Sequence, residues 1–110
     1  MITAIIVDDE PDCSESLVIL LERWCPQVKV LDICYGAETA SQSIKERAPK
    51  ILFLDIEMPF MNGFEMLEKL DNINFELIFT TSYDQYAIKA IRFSALDYLL
   101  KPIDRDELQK

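Results

Sequence analysis

The sequence predicts an α/β fold: a doubly wound, five-stranded parallel sheet with its strands in the order 2-1-3-4-5. Three observations lead there. Short apolar runs alternate strictly with helical patterns and are joined by short loops, which marks βα units rather than hairpins. The first, third and fourth apolar runs are nearly unbroken, as strands buried on both faces should be. The second run carries Lys29 and Asp32 and the fifth carries Asp97, so these two suit the edges of the sheet.

Each element has a local reason. Ile2 to Val7 runs apolar into Asp8 and Asp9 and reads as a buried strand. Pro11 suits the first turn of a helix, where its missing N–H leaves no bond unmade. That helix continues to about Trp24, with Cys13, Leu17, Leu20, Leu21 and Trp24 on one stripe, and Pro26 stops it. Val28 to Cys34 is the second strand. Gly36 leads into a weaker helix, Ala37 to Ala48, with Ala40, Ile44 and Ala48 facing inward. Ile51 to Leu54 is the third strand and ends on Asp55; after Pro59, a third helix spans roughly Gly63 to Leu70. Glu76 to Thr80 is the fourth strand, Tyr83 to Arg92 the fourth helix and Ala95 to Leu100 the fifth strand. Asp104 opens a last helix that the sequence barely enters.

The 110 residues are half apolar and 28% charged, which supports one core and one domain. Twenty acidic against 11 basic side chains give a net charge of −9, which disfavours contact with nucleic acid phosphates and anionic membranes. Histidine is absent, and with it the usual general base and the usual transition-metal ligand. Cys13, Cys25 and Cys34 share no metal or redox spacing and read as small buried hydrophobes in a reducing compartment. No signal peptide opens the chain and no apolar run reaches membrane-spanning length, so a cytoplasmic domain without membrane contact is expected.

In the order 2-1-3-4-5 the topological switch point lies between the C-terminal ends of the first and third strands. Asp8 and Asp9 follow one and Asp55 the other, so three carboxylates should converge. Like charges so placed raise one another's pKa unless a cation neutralises them, and an all-oxygen donor set suits a hard ion such as Mg²⁺. Asp9, Asp55, a backbone carbonyl near Glu57 and waters would hold it, with Asp8 a water-mediated partner. Thr80, Thr81 and Ser82 end the fourth strand and Lys101 the fifth, on the same rim. A carboxylate between a metal and Lys⁺ can attack phosphorus, with the Thr81 hydroxyl and Lys101 holding the product's oxygens. With two glycines in all there is no P-loop or dinucleotide fingerprint, so the donor is not bound ATP and a kinase is excluded.

Taken singly these residues have plainer readings: an Asp at a strand end is commonly a helix cap, Thr81 a turn hydroxyl, Lys101 a solvated charge. Tyr98 is by default a packing residue with a wet tip. Their joint placement carries the argument.

The motifs VDDEP (Val7–Pro11), LDIEMPFMNG (Leu54–Gly63), FTTS (Phe79–Ser82) and DYLLKP (Asp97–Pro102) resemble the receiver domain of two-component response regulators along the whole chain. The run FTTSYDQYAIKAIRFSALDYLLKPI further resembles the LytTR-type branch. The resemblance implies a flavodoxin-like fold, Asp55 as phosphoacceptor, and Asp8 and Asp9 as the acidic pair that organises Mg²⁺. It implies Lys101 as the phosphate-contacting lysine ahead of a cis Pro102, Thr81 as the switch hydroxyl and Tyr98 as the aromatic that turns with it. The implied donor is a phosphohistidine on a sensor histidine kinase. Implied also are a C-terminal DNA-binding output domain beyond residue 110, because the last helix is cut short, and a homodimer through the fourth helix, fifth strand and last helix. Tyr83, Tyr86, Lys89, Arg92, Asp97, Arg105 and Asp106 would form its surface. Glu57, two residues after the phosphoacceptor, either repels phosphate or orders the attacking water. The alternatives are a haloacid-dehalogenase-like phosphatase, which wants a DxD pair where this chain has Asp55 and Glu57, and a phosphorylation-independent pseudo-receiver.

Overall fold

The predicted alternation runs along the chain in the computed structural model, which describes residues 1–70, 73–83, 85–93 and 95–103. The elements are β1 (Ile2–Val7), α1 (Pro11–Trp24), β2 (Val28–Cys34), α2 (Ala37–Arg47), β3 (Ile51–Asp55), α3 (Gly63–Glu68), β4 (Glu76–Thr81), α4 (Ala87–Arg92) and β5 (Asp97–Leu100). The five strands form one parallel sheet in the order β2-β1-β3-β4-β5, so β2, with Lys29 and Asp32, and β5, with Asp97, are its edges as expected. The last helix expected from Asp104, with Arg105 and Asp106, lies outside the described residues.

Strand alternation sorts the core into two layers. Ile5, Val7, Leu52, Leu54, Leu77 and Phe79 face α2, α3 and α4, where Phe64, Met66 and Leu67 meet them. Ala4, Ile6, Phe53, Ile78 and Leu99 face α1 through Leu17 and Leu21. Each such side chain taken out of water contributes about 1.5–3 kcal/mol. Phe64 lies against Phe79 at 5.0 Å and Phe93 at 5.4 Å between ring centroids, and the Lys89 ammonium sits 4.9 Å from its ring, tying α3, β4 and α4 together.

Several boundaries differ from expectation. Trp24 is 38% exposed, because the inward line of α1 runs through Ser14, Leu17, Leu21 and then Cys25. Ala48 is exposed rather than inward. It closes α2 in the left-handed region (φ 44°), as the residue before Pro49 is barred from continuing the helix, and Pro49 takes the buried place. Strands β3 and β4 each run one residue further, to Asp55 and Thr81, because the ladder still pairs Asp55 with Thr80 and Thr81 with Leu100. Helix α3 is short and begins with a capping box: Asn62 Oδ1 accepts from the Glu65 N–H and Glu65 Oε1 from the Asn62 N–H. Helix α4 starts at Ala87, not Tyr83, because the backbone groups of Tyr83 are already taken: its N–H donates to Thr81 Oγ1 and its carbonyl accepts from the Tyr98 hydroxyl.

Two details position the strand ends. Gly63 N–H donates to the Ile56 carbonyl at 2.9 Å, and a Cβ on Gly63 would come 2.7 Å from the Asp55 carbonyl oxygen, so only glycine lets α3 start this close to β3. On the far edge, Asp32 Oδ2 accepts a 2.6 Å bond from Ser43, which fastens α2 to β2 and, ahead of the opposing effect of burial, holds the carboxyl below the usual range. Among the described residues no helix is long and apolar enough to cross a membrane.

Candidate functional site

β1 and β3 are neighbours, with Val7 opposite Leu54, so the residues that follow them, Asp8 and Asp55, emerge side by side. Carboxylate oxygens of Asp8, Asp9 and Asp55 all lie within 4.8 Å of one another, with Asp8 and Asp55 buried and Asp9 half-buried. The convergence expected from topology is therefore present. Lys101 enters from the end of β5, where its N–H donates to the Thr81 carbonyl at 2.7 Å and its peptide bond to Pro102 is cis. Its Nζ stands 2.8 Å from Asp8 Oδ2 and 3.5 Å from Asp55 Oδ1, and its side chain is only 12% exposed.

The charges do not balance: three acids share one ammonium. Burial pushes the Asp55 carboxyl up to about 7, the Asp8 charge adds to this, Lys101 partly offsets it, and the adjacent Asp9 carboxyl raises it further. Burial works against the Lys101 ammonium, but the hydrogen bond it donates to Asp8 and the charges of Asp55 and Asp8 outweigh it and hold Lys101 above its ordinary value. Asp8 forms the short ion pair with Lys101, and its Oδ1 also accepts the Glu10 N–H at 2.9 Å. Asp9 Oδ1 is buried and has no hydrogen-bond partner among the described residues. An orphaned carboxylate oxygen in an all-oxygen cluster is what a hard divalent cation satisfies, so the residues present fit Mg²⁺.

The hydroxyls divide by strand alternation. Thr80 shares a cavity of about 480 Å³ with Asp8, Lys101, Cys13 and Leu17, on the α1 side. Thr81 is fully buried on the other side, and its Oγ1 accepts the Tyr83 N–H at 3.2 Å. The half-buried Tyr98 directs its hydroxyl to the Tyr83 carbonyl at 2.6 Å, so Thr81 and Tyr98 meet on one loop residue. Two placements escaped the sequence reading: Cys13 in the cavity, and the contact of Glu57 with Tyr86. Cys13, one turn into α1, lines the cavity, where burial pushes its thiol up and the Lys101 charge pulls it partly back. Glu57 is exposed, and its carboxylate accepts the Tyr86 hydroxyl. Only the spacing of Asp8 and Cys13 could have flagged the first; no sequence signal points to the second.

The family model of the response regulator receiver domain matches residues 4–110. Over its whole length the chain is 42% identical to the transcriptional regulatory protein BtsR of Salmonella typhimurium and 40% identical to an uncharacterized response regulatory protein of Shewanella oneidensis. It covers 46% and 47% of those proteins respectively, so it spans about half the length of the curated relatives it matches. The crystallised REC domain of AraT, a response regulator from Geobacillus stearothermophilus, superimposes with a TM-score of 0.82 at 31% identity, over 97% of this chain and 86% of that one.

One consequence concerns stability. The folded-state pKa of Asp55 lies above its unfolded value of 3.8, so its contribution is fully present below about pH 4 and is lost as pH rises through about 7. In chelator at pH 8, Asp55→Asn should melt higher than the unaltered chain, by on the order of 2 kcal/mol, because the amide removes a buried charge while Asp8 keeps its pair with Lys101. The gap should shrink toward pH 4. Melts across that range check it; a variant less stable at pH 8 would mean that Asp55 is held by attraction, not confined against repulsion.

Proposed function

The chain belongs to the response regulator receiver domain family, and from that premise we propose that it is a phosphorylation-operated switch that accepts a phosphoryl group on Asp55 from a phosphohistidine of a sensor histidine kinase. The observation that supports this best is the buried Lys101 paired to both Asp8 and Asp55 beside an unsatisfied Asp9 oxygen. That arrangement holds one carboxylate ready as a nucleophile, with positive charge waiting for the oxygens it acquires.

Asp9, Asp55, the backbone carbonyl of Glu57 and waters would hold Mg²⁺, which when bound offsets the charge of the acids and of the transferred group. An Asp55 carboxylate oxygen forms the bond to phosphorus as the donor P–N bond breaks, the imidazole leaving with that electron pair and taking a proton from solvent. Lys101 keeps its pair with Asp8 and turns its remaining N–H bonds to the phosphoryl oxygens. The chain thereby promotes its own phosphorylation and dephosphorylation and no other reaction. Its intact Asp9, Asp55, Thr81 and Lys101 argue against a pseudo-receiver.

The readout starts at Thr81. A phosphoryl oxygen on Asp55 draws the Thr81 hydroxyl away from the Tyr83 N–H, and Tyr98 leaves the Tyr83 carbonyl and turns into the vacated space. Both movements release the β4–α4 loop. The output we assign is transcriptional, through a LytTR-type DNA-binding domain beyond residue 110. The FTTSYDQYAIKAIRFSALDYLLKPI run and the relatives' designation as transcriptional regulators support it, in a cytoplasmic setting that the kinase donor requires. At net charge −9 the receiver itself has no field for DNA, so the signal passes through protein contact. The surface is α4 and β5. There Tyr83, Tyr86, Lys89, Arg92 and Asp97 stand among the exposed Ile88 and Ile91, and a second copy across a two-fold axis would meet opposed charges around an apolar centre.

Acetyl phosphate with Mg²⁺ should add one phosphoryl group to the chain and none to Asp55→Asn, read by intact-protein mass spectrometry; full loading of the Asn variant would move the site elsewhere. Thr81→Ala should still load, but the Tyr98 NMR shifts that accompany loading should disappear. Identical shifts in the two proteins would sever the proposed coupling. A chain extended through the output domain should sediment as a dimer with a phosphate mimic and as a monomer without, and a monomer in both conditions would remove the dimer from the output.

A further inference from the structure

The contact between Glu57 and Tyr86 has no part in the Thr81–Tyr98 relay, yet it joins the loop after Asp55 to the residue that precedes α4. Glu57 stands two residues beyond Asp55, and a carboxylate so near an acyl phosphate has two chemical consequences. It repels an incoming anionic donor, and it can take a proton from a water that attacks phosphorus. In that hydrolysis the water oxygen bonds to phosphorus and the P–O bond to Asp55 breaks. Asp55 leaves as a carboxylate, inorganic phosphate departs, and the water proton passes through Glu57 to solvent. Here the carboxylate is engaged elsewhere: its Oε1 accepts the Tyr86 hydroxyl. The phenol is not free to drift, since its ring lies 6.0 Å from the buried Phe64 ring and 6.3 Å, edge-on, from Tyr83.

We propose that Tyr86 is a positioning residue that parks the Glu57 carboxylate away from the Asp55 phosphoryl group, and so speeds loading and lengthens the life of the phosphorylated state. This rests on the receiver reading. The carboxylate that Tyr86 holds is the one two residues beyond Asp55, so the bond acts as a brake on hydrolysis rather than a strut. The brake is also coupled to output, because Tyr86 stands at the start of α4: a partner that draws α4 away would free Glu57 and shorten the signal.

The test loads the unaltered chain, Tyr86→Phe, Glu57→Gln and the double variant from acetyl phosphate with Mg²⁺, then removes the donor and follows phosphate loss by intact-protein mass spectrometry. Tyr86→Phe, which keeps the ring contacts, should load more slowly and lose phosphate roughly two- to tenfold faster, the population change that one such hydrogen bond controls. In the Glu57→Gln background, adding Tyr86→Phe should change neither rate. Equal lifetimes for the unaltered chain and Tyr86→Phe would overturn the inference. So would an acceleration that survives in the Glu57→Gln background, which would mean that Tyr86 acts through packing. If the unaltered chain takes no phosphoryl group at all, the receiver reading itself fails, a different result from either.

Discussion

Three carboxylates meeting beside one buried lysine is the constraint on which the rest of the molecule depends. Desolvation and mutual repulsion make the cluster unfavourable, and Lys101 neutralises only part of it. A pocket in this condition gains from any cation that enters it. The sheet supplies the rigidity that keeps the acids from relaxing apart. Asp8 and Asp55 sit at the ends of two hydrogen-bonded central strands, and every apolar neighbour from Ile5 to Val7 and from Leu52 to Leu54 is buried.

Around the cluster, backbone geometry is arranged to serve the strand ends. Gly63 lets α3 begin against the Asp55 carbonyl, where any side chain would push β3 aside. Lys101 reaches the acids from β5 with its own N–H tied to the Thr81 carbonyl, so the lysine and Thr81 share one stretch of framework. The loop ahead of α4 is pinned three times, by Thr81, by Tyr98 and, through Tyr86, by Glu57. Each pin is a single hydrogen bond worth about 1 kcal/mol net. A loop held by a few weak, independent bonds is suited to respond when charge at the site changes.

The order of the elements, the sheet edges and the convergence of Asp8, Asp9 and Asp55 were legible in the sequence. Burial on two faces forces a continuous apolar run, while an edge tolerates Lys29, Asp32 and Asp97. Helix interiors were read less well. Trp24 and Ala48 fit a periodic stripe, but the first sits at a helix end where Cys25 takes the inward place, and the second is turned left-handed ahead of Pro49.

What the sequence determined by itself was which chemistry could occur and at which strand ends, since residue type and strand periodicity are properties of the chain. The Asp8–Lys101 pair, the meeting of Thr81 and Tyr98 on Tyr83, and the contact of Glu57 with Tyr86 were decided only by tertiary structure. They join residues up to 93 positions apart (Lys101 and Asp8) through rotamers and loop paths that no periodicity encodes. Such contacts exist only once packing has fixed where each loop must run.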